Sequence, residues 1–120
     1  MTDNKALRDE SRFGLVKHNR WTVIRIKEHV QSDSDFSWLK YEVAALCKKG
    51  ASDIAIAFAK KSYLYSKVIS VLVTCSRTVN KHHGNLALVE PEQRIKKMLK
   101  TMKLNNVLFS IYDEIGDLPA

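Results

Sequence analysis

Two cysteines, two prolines and four glycines are all that this chain of 120 residues contains of those types. Cys47 and Cys75 both fall on apolar stripes of helical spacing, where a free thiol behaves as a small hydrophobe, so neither a disulfide framework nor a thiolate metal site is indicated. The glycines form no phosphate-cradling loop. No apolar run approaches the length of a membrane span, and the opening Thr2, Asp3, Asn4 and Lys5 is not a basic-then-apolar signal segment, which makes the cytoplasm the expected compartment. No nucleophile has an evident base and orienting partner. His18, His29, His82 and His83 are scattered or adjacent on polar segments, and neighbours on a helix point about 100 degrees apart, so the last pair makes a poor metal clamp. The sequence thus reads as non-enzymatic, with no cofactor and no metal.

Positive charge and an apolar core are present. The chain is 45% hydrophobic and long enough for one compact domain, expected over residues 13–120 after a polar lead-in at 1–12. Its net charge of +7 makes nucleic acid, an anionic membrane or an acidic protein conceivable partners. Much of that charge lies in Arg94, Lys96, Lys97, Lys100 and Lys103, interleaved with Ile95, Met98, Leu99 and Met102 at helical spacing. This is the solvated face of an amphipathic helix, and with no recognition motif nucleic acid ranks last among the partners.

The local patterns alternate between strand and helix. Phe13 to Val16 and Trp21 to Lys27 read as an antiparallel hairpin turned by residues 17–20, the second strand having one face more buried than the other. A helix is expected to begin at Asp33 or Ser34 and to bury Phe36, Leu39, Val43 and Leu46, with Trp38 and Tyr41 partly in the core. Lys48, Lys49 and Gly50 end it with basic residues and a glycine for the left-handed cap.

Ile54 to Phe58 is a continuous apolar run that suits a central strand covered on both faces. Val68, Leu72, Cys75 and Val79 then mark a second helix, ending at Lys81-His82-His83-Gly84. Asn85 to Val89 is the next strand, Glu90-Pro91-Glu92 starts the basic helix, and Val107 to Tyr112 is the last strand, followed by a short terminal segment. This order predicts an α/β fold: a mixed, mostly parallel sheet of about five strands with three to four helices and right-handed crossovers.

Ser66 stands where the loop after the central strand hands over to the long helix. A serine there caps a helix by accepting from a free backbone N–H, and the same free amides suit a phosphate. Both uses stay open. Lys60, Lys61 and Lys67 would set positive charge around Tyr63 and Tyr65, which either pack inward at the strand exit or serve as aromatic anchors for a partner.

The layout resembles the STAS family, the domain of bacterial anti-sigma-factor antagonists that also occurs in sulphate transporters. The resemblance covers residues 13–118 and is best from Ser62 to Leu118: a serine at a helix start, a helix ending near a glycine, a strand ending in Glu90-Pro91, a helix ending Met102-Lys103-Leu104-Asn105-Asn106, then Val107 to Asp113. It implies a protein-binding regulatory module with Ser66 as phosphoacceptor and a surface of Lys61, Ser62, Tyr63, Tyr65, Lys67 and Ser70. The implied partners are an anti-sigma factor of the serine-kinase type and a phosphatase. The acceptor context departs from the family pattern: Tyr65 replaces the usual aspartate, Lys67 a small hydroxyl residue and Val68 a glycine. A STAS adaptor without phosphoregulation, in a signalling or lipid-transport complex, is therefore the alternative, and a basic nucleic-acid-binding domain the remaining one.

Overall fold

The computed structural model describes residues 13–27, 36–58, 66–89, 93–101 and 110–119. Strand β1 (Phe13–His18) turns through Asn19 and Arg20 into β2 (Trp21–Ile26), and helix α1 (Ser37–Lys48) leads to β3 (Asp53–Ala57). Helix α2 (Ser66–Lys81), β4 (Asn85–Val89), α3 (Gln93–Thr101), β5 (Ser110–Tyr112) and a single 3-10 turn (Ile115–Asp117) follow. The strands lie side by side in sequence order, with β1 antiparallel to β2 and the remaining neighbours parallel. The mixed, mostly parallel α/β fold expected from the alternation is the one observed.

Side-chain alternation on the inner strands builds two unequal layers. Ile54 and Ile56 of β3, with Leu86 and Leu88 of β4, face the helices and join Leu39 and Val43 of α1, Leu72 and Cys75 of α2 and Leu99 of α3 in the main core. Ala55, Ala57, Ala87 and Val89 point the other way, joined by Trp21, Val23 and Leu118. Three alanines at the centre of that second face leave room for the C-terminal segment to lie close, and the Trp21 indole N–H fixes it by donating to the Pro119 carbonyl at 2.8 Å.

Several details differ from the sequence expectations. Strand β1 runs on through Lys17 and His18, because Asn19 takes a φ of 54° and closes the hairpin in two residues. Strand β2 is buried on both faces rather than one, since it lies inside the sheet; Arg25 is its exposed residue. Helix α1 starts at Ser37 with Phe36 at the cap position and no side-chain cap bond, while Asp33 and Ser34 lie outside the described residues. Tyr41 is 73% exposed, because it sits two residues, about 200 degrees, from both Leu39 and Val43.

The end of α1 is as expected: Gly50, at a φ of 102°, and Ala51 donate to Cys47 and Leu46 at 3.0 Å each, satisfying two terminal carbonyls. At the end of α2 the left-handed residue is His83, at a φ of 60°, not Gly84. Gly84 answers a different need, since a Cβ there would meet the Ser52 carbonyl oxygen. Residues 90–92 and 102–109, where the sequence predicts the start of the basic helix and most of the last strand, lie outside the described residues.

Candidate functional site

The carboxyl ends of β3, β4 and β5 share one rim of the sheet, where Ala57 registers with Val89 and Val89 with Tyr112. The loops that follow β3 and β4 and the starts of the helices after them converge at this rim, and exposed connections on a rigid scaffold are where binding residues concentrate. Helix α2 begins at this end, with Ser66 its first residue. The cap position before it falls on residue 65, outside the described residues, so Ser66 stands inside the first turn rather than ahead of it. That turn contains no acidic residue and leaves its N–H groups without intrahelical acceptors. An anion there would meet the positive end of the helix dipole.

The start of α2 is held by packing. Val68 is 1% and Ile69 8% exposed, and both belong to the main core, so the helix entrance is anchored one turn from Ser66. Ser70 faces solvent on the following turn, and its carbonyl accepts from the Thr74 hydroxyl at 3.1 Å. Ser66, Lys67 and Ser70 therefore share the first turns of α2. The side chains of Ser66 and Lys67, and Lys60, Lys61, Ser62, Tyr63 and Tyr65 altogether, lie outside the described residues.

The fold brings to this rim residues that local sequence patterns did not place there. Arg25 registers with Ala57, and Asp113 leaves β5 to accept a charge-paired hydrogen bond from Lys96 of α3. Lys96 is thus partnered rather than simply solvated, whereas Lys97 and Lys100 are exposed as expected. The signal for these additions was the parallel register, which becomes legible only once the strands are ordered.

The buried thiols offer no chemistry to this rim. Burial pushes the Cys75 thiol up to about 12 and raises that of Cys47, so neither supplies a thiolate nucleophile near neutral pH. Among the described residues no cluster of His, Cys, Asp and Glu has the makings of a metal site, and no helix is long and apolar enough to cross a membrane.

No protein-family profile and no curated protein matches the sequence. Solved structures do. A crystal structure of TM1081 from Thermotoga maritima, a candidate anti-sigma factor antagonist, is similar at a TM-score of 0.74 and 20% identity, covering 88% of this chain and 89% of that one. The Bacillus cell-fate determinant SpoIIAA in its phosphorylated form follows at 0.62 and 18% identity, covering 85% and 92% of the two chains. The anti-sigma factor antagonist SpoIIAA in its unphosphorylated form gives 0.59 and 16%, covering 88% and 91%. The chain has the STAS-like fold of these anti-sigma factor antagonists.

Proposed function

We propose that this chain is a non-enzymatic, cytoplasmic regulatory module that docks a protein partner through the loop before Ser66 and the start of α2. Phosphorylation of Ser66 switches that docking. The observation that carries the reading is the position of Ser66: first residue of a core-anchored helix whose first turn holds no acidic residue, at the carboxyl rim of the sheet. The fold is shared with SpoIIAA, solved with and without phosphate. By that likeness the partner is an anti-sigma factor of the serine-kinase type, and a phosphatase resets the switch. A phosphate adds about 1.5 to 2 negative charges, which the helix N-terminus and Lys67 stabilise in the free protein. Phosphate mapping of the protein isolated from its native cells across growth conditions tests the switch, with modification at Ser66 in at least one condition the expected result.

One observation favours a second version, an adaptor without phosphoregulation in a signalling or lipid-transport complex. Val68, at the place where phosphorylated antagonists carry glycine, is a core residue at 1% exposure, which ties the acceptor turn to the packing beneath it. Ser66 unmodified in every condition, with partner binding intact, identifies this version.

A further inference from the structure

At the amino end of the parallel strands, opposite Ser66, three chain reversals meet: the hairpin turn before Trp21, the loop after α1 and the turn after α2. They are tied to one another. Arg20 Nε lies 2.7 Å from Asp53 Oδ2, the Asn85 amide side chain donates to Asp53 Oδ1 at 2.9 Å, and the Asn85 backbone N–H donates to the Ser52 carbonyl at 3.0 Å. Each reversal contains one residue with left-handed φ, Asn19 at 54°, Gly50 at 102° and His83 at 60°, so each adopts a defined turn.

Onto this single surface the chain brings Lys48, Lys49, Lys81, His82 and His83, all exposed, beside half-exposed Arg20. His82 is held by its Nδ1–H, which donates to the Thr78 carbonyl at 3.0 Å. The one carboxylate within the three reversals, Asp53, is 8% exposed and already paired with Arg20. Among the described residues none of the three lysines has an ion-pair partner. Two helix C-termini contribute roughly −0.5 each, so the lysines do more than compensate dipoles: about two positive charges remain before the histidines are counted.

The chemistry of the surface selects its occupant. Among the described residues the exposed large hydrophobics, Leu15, Val16 and Tyr41, all lie outside the three reversals. A protein interface wants a buried apolar or aromatic centre, and adsorption to anionic lipid by so few charges without an apolar anchor is marginal. A nucleic-acid backbone needs only the charges. Helices α1 and α2 pack in one core, so their basic ends lie side by side at the separation of packed neighbours, about 8 to 10 Å. We propose that this face, formed by Lys48, Lys49, Lys81, His82 and His83, is a sequence-independent docking surface for the phosphate backbone of nucleic acid. Helix α2, with 16 residues, sets it about 24 Å from Ser66, so both ends can be engaged at once, and the inference stands apart from the switch at Ser66.

The test is fluorescence anisotropy of a labelled mixed-sequence DNA duplex with the full chain across a salt series. Three neutralised phosphates give a log–log slope of about −2.7, hence binding roughly 40-fold weaker at 200 than at 50 mM salt. Lys48→Glu/Lys49→Glu/Lys81→Glu, its fold checked by circular dichroism, is expected to lower affinity at least tenfold, and Lys97→Glu/Lys100→Glu on α3 less than about threefold. No duplex binding at the lowest salt, equal losses in both variants, or binding to phosphatidylserine vesicles in place of the duplex would each overturn the proposal.

Discussion

The carbonyl oxygen of Ser52 occupies the space that a side chain on Gly84 would need, 1.7 Å from where its Cβ would stand. The loop after α1 and the turn after α2 are thereby packed backbone against backbone. Gly84→Ala forces one of them to move and is expected to destabilise the protein by about 2 to 3 kcal/mol, read as a lower urea midpoint. A midpoint equal to the wild type's would mean the two loops separate freely.

Leu72 is fully buried between α2 and the sheet. Leu72→Ala is expected to cost about 2 to 5 kcal/mol through lost burial and a residual cavity. An unchanged denaturation midpoint would reject the orientation of α2, and with it the placement of Ser66.

Trp38 stacks on Phe13 with ring centroids 5.0 Å apart, whereas Tyr41, three residues on, is 73% exposed. Trp38→Ala is expected to destabilise by about 3 kcal/mol and Tyr41→Ala by less than about 0.5 kcal/mol. The reverse order in thermal unfolding would show α1 rotated about its axis.

Cys75 gives the fold a dependence on alkaline pH. Its thiol is raised from 9.0 to about 12 by burial, so below pH 9 both folded and unfolded chains hold the proton and the stability is complete. Above that the unfolded chain loses the proton and the folded chain keeps it, so stability falls by up to about 1.4 kcal/mol per pH unit until the folded thiol titrates. Unfolding free energies between pH 9 and 10.5 are expected to fall more steeply for the wild type than for Cys75→Ala. Parallel slopes would mean Cys75 is not buried.

Much of the sheet and core was legible because the physics there is periodic. Ile54 and Ile56 against Ala55 and Ala57, or Leu86 and Leu88 against Ala87 and Val89, carry both the strand and its two faces in their order. The stripe Val68, Leu72, Cys75 and Val79 likewise carried the inward side of α2. Ends were less legible, because several residues compete for one role: Asp33 and Ser34 are better caps than Phe36, yet α1 begins at Ser37, and His83 takes the left-handed turn beside a glycine. At the candidate site, the junction at Ser66 was visible as the handover from a continuous apolar run, Ile54 to Phe58, to apolar residues at helical spacing from Val68. The neighbourhood of that junction was not, since Arg25, Lys96 and Asp113 come to the same rim through strand order. The basic ends of α1 and α2 looked like separate helix caps for the same reason.

Partner capture by Ser66 variants tests the proposed function most directly. Tagged wild-type protein, Ser66→Ala and Ser66→Asp, each matched for folding, are incubated with extract of the native cells, and the partner recovered by the wild type is quantified for all three. The expected result is wild-type recovery with Ser66→Ala and at least about a tenfold loss with Ser66→Asp, the negative charge at the start of α2 weakening the docking surface. Equal recovery by all three would contradict a switch at Ser66.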